Sequence, residues 1–222
     1  MDTKSAIGHL NFFNNLSDEE IDRLVSISSL KKYQADTLLH YEKSESNRLL
    51  FLVNGLAKAY KIDKHDNEIF LYYIYKNHIL SDISSLDTAS LTSYSNITFV
   101  EDSELLSIDF DAFKREFLEK GRLCLALSNE VIRQSKQLQN LVNREFIFDS
   151  VAKVAMMLSS DLEMFNKLKR YDVSLMLHIQ PSTLSRVLSR LKRNGLIDID
   201  HGVVIIVNAE GLKKIYEGLM DE

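Results

Sequence analysis

Residues 169–207 read KRYDVSLMLHIQPSTLSRVLSRLKRNGLIDIDHGVVIIV, and they predict a helix-turn-helix followed by a two-stranded hairpin. The second helix is predicted from an apolar stripe with i, i+3, i+4, i+7 spacing, made by Leu184, Val187, Leu188 and Leu191. Pro181 suits the first helical position because its φ is fixed. The linker before it, His178-Ile179-Gln180, has the length that a helix-turn-helix uses. A helix held in this way can lie in the major groove of DNA.

The opposite face of this helix carries hydroxyls and guanidiniums without an acid. Its members are Ser182, Ser185, Arg186, Ser189 and Arg193. The segment from 167 to 196 has a net charge of +6, although the whole chain has a net charge of −5. A charged run is more often only a solvated helix face. Here the basic patch coincides with the helix-turn-helix pattern, which favours a local phosphate partner, double-stranded DNA.

The composition limits the class of protein. The chain has 222 residues, enough for one large or two ordinary domains, with 45% hydrophobic and 27% charged residues as in soluble globular proteins. Its single cysteine, Cys124, excludes an intramolecular disulfide and any all-cysteine metal or iron–sulfur site, and is expected to be a small buried side chain. The N-terminus lacks a secretory signal and no apolar run could span a bilayer. We therefore expect a cytoplasmic protein without a membrane partner.

The N-terminal half predicts a short helix and then many short strands. Ser17 and Glu20 have the spacing of a capping box, which opens the helix. The strand-like runs are Thr37–Tyr41, Leu49–Val53, Ala57–Ile62, Glu68–Ile74, Ile97–Val100 and Leu105–Ile108. Regular short strands separated by polar turns indicate an antiparallel sandwich or barrel, such as a jelly roll.

A long helix is predicted next, from Asp111 to about Glu145. Its apolar stripe consists of Leu123, Leu127, Val131, Leu138, Leu141 and Val142, with a polar break at Gln134, Ser135 and Gln137. A second copy of the chain in a parallel coiled coil would bury this stripe, and packing on the chain's own β domain is the alternative. A further helix is predicted from Phe148 to about Phe165.

This order of elements, together with PSTLSRVLSRLKRNGLI at 181–197, resembles the Crp/Fnr family of bacterial transcription regulators. The resemblance implies an α+β fold with two domains: a jelly roll similar to cyclic-nucleotide-binding domains, a long dimerisation helix and a winged helix-turn-helix. The implied boundaries are 1–110, 111–146 and 147–222. It further implies a homodimer that reads a palindromic promoter site and recruits or blocks RNA polymerase.

The resemblance also implies which residues meet DNA. Members of the family open the second helix approximately with P-E-T-L-S-R, where this chain has PSTLSR at 181–186, so Arg186 matches the arginine that pairs with guanine. The expected DNA-contacting set is Arg170, Gln180, Ser182, Thr183, Ser185, Arg186, Ser189, Arg190 and His201, with His201 at the tip of the wing. Ser182 replaces the glutamate of the family, so we expect a changed base preference beside the guanine. His178 stands where glycine is common, and histidine tolerates the left-handed region better than most residues.

The sensory half departs from relatives that bind cyclic AMP. Their phosphate cassette resembles G-E-L followed by R-S/T-A, whereas here Ser93 stands at the position of the arginine and Asp82 at that of the glutamate. Cyclic AMP is therefore not expected, and a single cysteine argues against an iron–sulfur cluster. Some relatives bind heme through histidine, which makes His40, His65 and His78 candidates. A small organic ligand, or none at all, is the alternative.

Two other functions compete with DNA binding. A jelly-roll enzyme of the cupin type needs clustered histidines and a carboxylate, but His40, His65 and His78 stand singly and there is no H-x-H pair. We therefore do not expect an enzyme. A regulatory partner that has lost DNA binding is the third option, and the intact Arg186 and basic patch argue against it.

Overall fold

The computed structural model describes residues 1–217, which fall into two compact units, Met1–Gln137 and the described residues from Leu138 onward. The first unit contains ten short strands, and the second is mainly helical. Among the described residues, no helix is both long and apolar enough to cross a membrane.

Antiparallel sheets form the body of the first unit. Its strands are β1 (Ser28–Tyr33), β2 (Leu38–His40), β3 (Glu45–Ser46), β4 (Arg48–Asn54), β5 (Leu56–Ile62), β6 (Glu68–Tyr75), β7 (His78–Ile79), β8 (Leu91–Thr92), β9 (Asn96–Phe99) and β10 (Ser103–Asp109). They make two four-stranded sheets, β1-β10-β4-β7 and β2-β9-β5-β6, and the short pair β3-β8. The predicted antiparallel β fold is confirmed, and all six predicted strands are present.

Four strands were missed by the prediction, of which β1 is the longest. Its sequence, SSLKKY, alternates weakly and is half polar, so it carries little strand signal of its own. It forms because it pairs along its whole length with β10, with Leu30 opposite Leu106. β10 is almost fully buried and supplies the hydrophobic contacts that β1 lacks.

Short helices cover the sheet that contains β4. They are α1 (Thr3–Gly8), a 3-10 turn (Asn11–Phe13) and α2 (Asp18–Ser26). The predicted capping box opens α2: Glu20 N donates to Ser17 Oγ, and Ser17 N donates to the Glu20 carboxylate. Ile7, Leu24 and Phe51 belong to one buried cluster, so these helices close the core of the sheet.

The long helix begins later than predicted. The chain forms α3 (Phe110–Phe113) and a π-helical turn (Lys114–Leu118), and α4 runs from Cys124 to Phe146. The predicted start at Asp111 is wrong because Gly121 (φ +72°) and Leu123 (φ +62°) are left-handed and interrupt the helix. Arg122 holds this bend, since its guanidinium donates to the Glu20 carboxylate at 2.7 and 2.9 Å.

Cys124 is exposed, so the expectation of a buried thiol is also wrong. The residue lies at the first position of α4, directly after the left-handed bend, where the chain has turned outward. Its Sγ lies 3.5 Å from Leu118 O. The expectation assumed that Cys124 lay inside a continuous helix, on its apolar face.

The predicted apolar stripe of α4 is partly buried and partly exposed. Leu127 is buried in the core of the first unit, and Gln134 and Gln137 donate to Ser81 O and Tyr73 O, so these residues hold the helix on its own β domain. Large apolar side chains on the other faces are exposed, namely Leu125, Val131, Ile132, Leu138, Val142 and Phe146. Packing on the chain's own β domain is therefore confirmed for part of the stripe, and the coiled-coil partner for the exposed side chains stays a prediction.

A buried carboxylate fastens α4 to the sheet. Glu130 Oε1 accepts from Ile79 N at 3.2 Å and from Arg133 Nε and Nη2 at 2.9 and 2.7 Å, and Oε2 lies 3.5 Å from His78 Nδ1. Burial raises the pKa of Glu130, but the nearby His78, Arg133 and backbone N–H reverse this and lower the pKa to about 2. The ionised carboxylate therefore stabilises the folded state.

We expect Glu130→Gln to lower the stability of the first unit at pH 7 by about 2 kcal/mol, or about 4–8 °C in Tm, because Arg133 and Ile79 N lose a charged acceptor. The pKa of Glu130 in the folded protein lies below the ordinary glutamate value of 4.5, so this stabilisation is present above that value and is lost as pH falls towards 2. Thermal unfolding between pH 7 and 3 measures it, with the exposed Glu119→Gln as the control. Equal pH dependence in wild type and Glu130→Gln would contradict it.

The second unit holds five helices and a hairpin among the described residues. They are α5 (Ser150–Ser160), α6 (Leu162–Lys167), α7 (Arg170–Met176), α8 (Pro181–Arg193), β11 (Ile197–Asp200), β12 (Val203–Ile206) and α9 (Ala209–Glu217). The single helix predicted from Phe148 to Phe165 is wrong. Asp161 has φ −153°, which ends α5, and its carboxylate accepts from Met164 N to cap α6.

Candidate nucleic-acid interface

The helix-turn-helix consists of α7, a short turn and α8, as predicted. Pro181 is the first residue of α8, and the N-cap is Gln180. His178 has φ +50°, so the residue that replaces the common glycine does adopt the left-handed conformation. Ile179 N donates to Ser174 O at 3.0 Å, and this bond ties the turn back to α7.

One face of α8 is buried. Its apolar stripe of Leu184, Val187, Leu188 and Leu191 has at most 6% exposure. The stripe packs into a cluster with α5 and α7 that includes Val154 and Val173. Burial of this kind contributes about 1.5–3 kcal/mol for each large side chain, so the stripe fixes which side of α8 faces outward.

The outward face carries the predicted contact residues. Ser182, Ser185, Arg186, Ser189, Arg190 and Arg193 are exposed, together with the N-cap Gln180, and Thr183 is half-buried. In the described part of the chain, the guanidiniums of Arg186, Arg190 and Arg193 have no acidic partner within 4 Å. Lys192 differs, because its Nζ lies 2.7 Å from Asp198 Oδ1 on the wing. The face therefore presents cations whose charge is not neutralised.

Within residues 1–217, the hydrogen bonds of Arg186 are to its own helix. Its Nε donates to Ser182 O at 3.3 Å and its Nη2 donates to Thr183 Oγ1 at 3.2 Å. Ser189 Oγ likewise donates to Ser185 O at 3.0 Å. Long bonds of this kind at the surface contribute little, so a base edge or a phosphate could replace them at small cost.

The wing is the hairpin β11-β12. Its tip is His201-Gly202, with φ +45° and +86°, and the His201 side chain is 94% exposed. Arg170 braces this tip: its Nη2 donates to Gly202 O at 2.6 Å and its Nη1 to Phe165 O at 3.0 Å, and the guanidinium stacks on the Phe165 ring. Burial lowers the pKa of Arg170. Sequence reasoning missed this bracing contact because the partners are backbone carbonyls.

The candidate sensory residues do not form one cluster. His40 lies in β2 with its Nε2 buried and without a hydrogen-bond partner among the described residues, and burial lowers the pKa of its imidazole. His65 lies in the turn after β5, and His78 faces Glu130. Within residues 1–217, no group of three or more histidine, cysteine or acidic side chains could hold a metal ion.

The segment that corresponds to the phosphate cassette contains a carboxylate. Asp82 Oδ2 accepts from Tyr94 N at 2.7 Å, and burial raises the pKa of Asp82. The burial of Tyr72, together with the charge of Asp82, raises the pKa of Tyr72 to about 12. Ser93, at the position of the arginine in cyclic-AMP-binding relatives, is buried.

Comparison with known families matches both parts of the chain. Residues 30–120 match the cyclic nucleotide-binding domain, and residues 151–215 match the Crp-like helix-turn-helix domain. The cyclic AMP receptor protein of Thermus thermophilus is 22% identical over 211 residues, which cover 93% of this chain and 97% of that protein.

Solved structures show the same fold. A variant of CooA from Carboxydothermus hydrogenoformans has a TM-score of 0.70 at 16% identity, covering 91% of this chain and 92% of that one. A crp/fnr-family protein from Eubacterium rectale has a TM-score of 0.65 at 15% identity, covering 95% and 99%. With a cyclic nucleotide-binding domain, a Crp-like helix-turn-helix domain and these relatives, the chain belongs to the Crp/Fnr family, whose members are transcription regulators and not enzymes.

Proposed function

We propose that this regulator binds a palindromic DNA site as a homodimer, with α8 of each protomer in a major groove. The observation that carries the proposal is the exposed face of α8, where three guanidiniums lack acidic partners in the described chain while the opposite stripe is buried. Two such helices related by a two-fold axis would reach half-sites about 34 Å apart. RNA polymerase would be the further partner, recruited or blocked at the promoter.

The contact residues divide by position. Arg186 would donate to O6 and N7 of a guanine, with Ser182, Ser185 and Ser189 on the same face. Gln180, Thr183, Arg190 and His201 would contact phosphates, which position the protein without reading sequence. To reach a phosphate, Arg170 would have to weaken its bond to Phe165 O or to Gly202 O. We therefore expect Arg170 to contribute less to DNA affinity than the other contact residues.

The proposed division of labour is 1–110 for sensing, 111–146 for dimerisation and 147–222 for DNA binding. The exposed apolar side chains of α4 support the dimerisation role, since a second α4 would bury them. A regulator of this kind works where the chromosome is, so we propose a cytoplasmic location.

We propose that the effector is not cyclic AMP, although the Thermus relative is named for it. No lysine or arginine occurs between residues 80 and 95, and the half-buried acid Asp82 lies there instead. A cyclic phosphate would meet the uncharged Ser93 where it needs a guanidinium, so its charge would be buried without a partner at a prohibitive desolvation cost.

The surroundings of His78, the candidate heme ligand that lies beside a cavity, do not suit a heme group. His78 opens onto a cavity of about 590 Å³, large enough for a sizeable ligand. However, amides and charges dominate its wall, including Asn11, Asn129, Glu130 and Arg133, whereas a porphyrin needs apolar walls. We therefore propose no heme ligand at His78 and include heme in the experiment as an additive.

Selection from random duplex DNA with the purified protein tests the proposal. We expect enrichment of a two-fold symmetric site with one invariant guanine in each half. A folded protein that enriches nothing, alone or with cyclic AMP or heme added, would contradict it. The binding of cyclic AMP, followed by calorimetry, would contradict the effector proposal separately.

Ser182→Glu is expected to change the base preference beside the guanine. A glutamate accepts from cytosine N4, so selection with this variant should shift that position towards the half-site usual in the family, with about 10-fold discrimination. Ser182→Ala is the control, because it removes the hydroxyl without adding an acceptor of that reach. Identical selected sites for wild type and Ser182→Glu would show that residue 182 does not face this base pair.

A further inference from the structure

The last turn of α4 contacts the turn of the helix-turn-helix through a side-chain hydrogen bond. His178 Nδ1 lies 2.8 Å from Glu145 Oε2, and both side chains are about one-quarter exposed. The two residues belong to the same compact unit. No role in the proposed DNA interface uses either side chain.

Glu145 is held from three elements. Arg144 Nε donates to its Oε1 at 2.9 Å, and Lys153 Nζ of α5 lies 3.9 Å from Oε2. Burial raises the pKa of Glu145, but the hydrogen bonds from His178 and Arg144 outweigh it and leave the pKa below its usual value. The carboxylate is therefore ionised at neutral pH, and its charge joins α4, α5 and the turn.

The backbone at His178 decides where α8 starts. His178 is left-handed, and Pro181 opens α8 three residues later. His178 N donates to Leu175 O at 3.1 Å, so the residue is fixed on its other side to the end of α7. A displacement of the imidazole would move a turn that has little freedom, and α8 with it.

We propose that the Glu145–His178 pair positions α8 relative to the end of α4, and so sets the separation of the two recognition helices in the dimer. The inference rests on the proposed homodimeric DNA binding. Both are positioning residues, because neither touches DNA. If the last turn of α4 moves, either the helix-turn-helix moves with it or the bond between Glu145 and His178 breaks.

A purely local role predicts something different. If the pair only stabilised the domain, its loss would weaken binding to every DNA site by the same factor. If it positions α8, its loss would also relax the preference for one spacing between half-sites, because the two recognition helices could then sit at more than one distance.

The test uses the full-length protein with Glu145→Gln, His178→Asn and the double variant. Asparagine tolerates the left-handed region, so His178→Asn keeps the turn while removing the imidazole. Glu163→Gln, an exposed acid on α6, is the matched control. Binding is measured to the selected palindrome and to palindromes with one base pair more or fewer between the half-sites.

We expect each single variant to bind the selected site about 5-fold more weakly, as for a partly exposed ion pair, and the double variant no more weakly than either. The preference for the native spacing should fall markedly in all three and stay unchanged in Glu163→Gln. Additive losses, or an unchanged spacing preference, would overturn the proposal while leaving DNA binding itself intact.

A DNA-free measurement separates this inference from the proposed function. Amide hydrogen exchange in residues 175–184 should be faster in Glu145→Gln and His178→Asn than in wild type and Glu163→Gln. Unchanged exchange would overturn the positioning role even if the protein binds DNA. If exchange is faster in the variants but the wild-type protein binds no palindrome, the proposed function fails. The proposed effect on the spacing of the recognition helices then fails with it.

Discussion

Replacing Arg186 by alanine is expected to lower affinity for the selected palindrome by about 100-fold or more. A bidentate pair between arginine and guanine contributes about 1–3 kcal/mol of discrimination, and a homodimer loses one in each half-site. The guanidinium is available for this pair, because its present bonds to Ser182 O and Thr183 Oγ1 are long and at the surface. Fluorescence anisotropy on the selected duplex measures the loss.

The specificity of the effect distinguishes base reading from simple charge. With Arg186→Ala, changing the guanine to adenine in both half-sites should make little further difference, whereas wild type should lose affinity strongly. Arg193→Ala is the matched control, because Arg193 lies at the exposed end of α8 and is expected to meet phosphate. It should weaken binding to all sequences alike and reduce the slope of log affinity against log salt concentration by about two, about one for each half-site. Undiminished guanine preference in Arg186→Ala would contradict the assignment.

The DNA-binding half could be predicted in detail because its signals are local. The stripe from Leu184 to Leu191, the proline at the start of α8 and the positive φ of His178 each follow from residues close together in sequence. The exposed face of α8 follows from the buried stripe, because residues on the opposite face of an amphipathic helix lie in solvent. The assignment of individual contacts to DNA stays a prediction.

The start of α4 was only partly predictable, because Gly121 is a local helix breaker but the contact that holds the bend joins residues distant in sequence. Arg122 bonds to Glu20, and Leu123 adopts a left-handed conformation that its own residue type disfavours. The polar break at Gln134 and Gln137 has the same kind of explanation: both amides donate to carbonyls of the β domain. Such bonds leave no periodic pattern, so sequence reasoning saw only an interrupted stripe.

Val142→Asp is expected to convert the proposed dimer into a monomer. Val142 is 52% exposed, and it lies on α4 with Leu125, Ile132 and Phe146, which are 75%, 52% and 84% exposed. Ile132 and Phe146 lie 7 and 21 residues after Leu125, and Val142 lies 17 residues after it, at the intervening apolar position of the heptad. A parallel pair of helices buries this seam, as in a coiled coil.

The aspartate would place two carboxylates against each other at the two-fold axis, in a seam where burial of a single unpaired charge already costs several kcal/mol. Sedimentation at micromolar concentration should show a monomer, and affinity for the palindrome should fall about 100-fold or more because each protomer then binds one half-site alone. Ile62→Asp, at an exposed end of β5, is the control and should stay dimeric. If Val142→Asp remained a dimer that binds the palindrome, the seam would lie elsewhere and the exposed face of α4 would need another partner. Loss of the dimer with half-site binding intact would instead show that α4 joins two DNA-binding units that fold without each other.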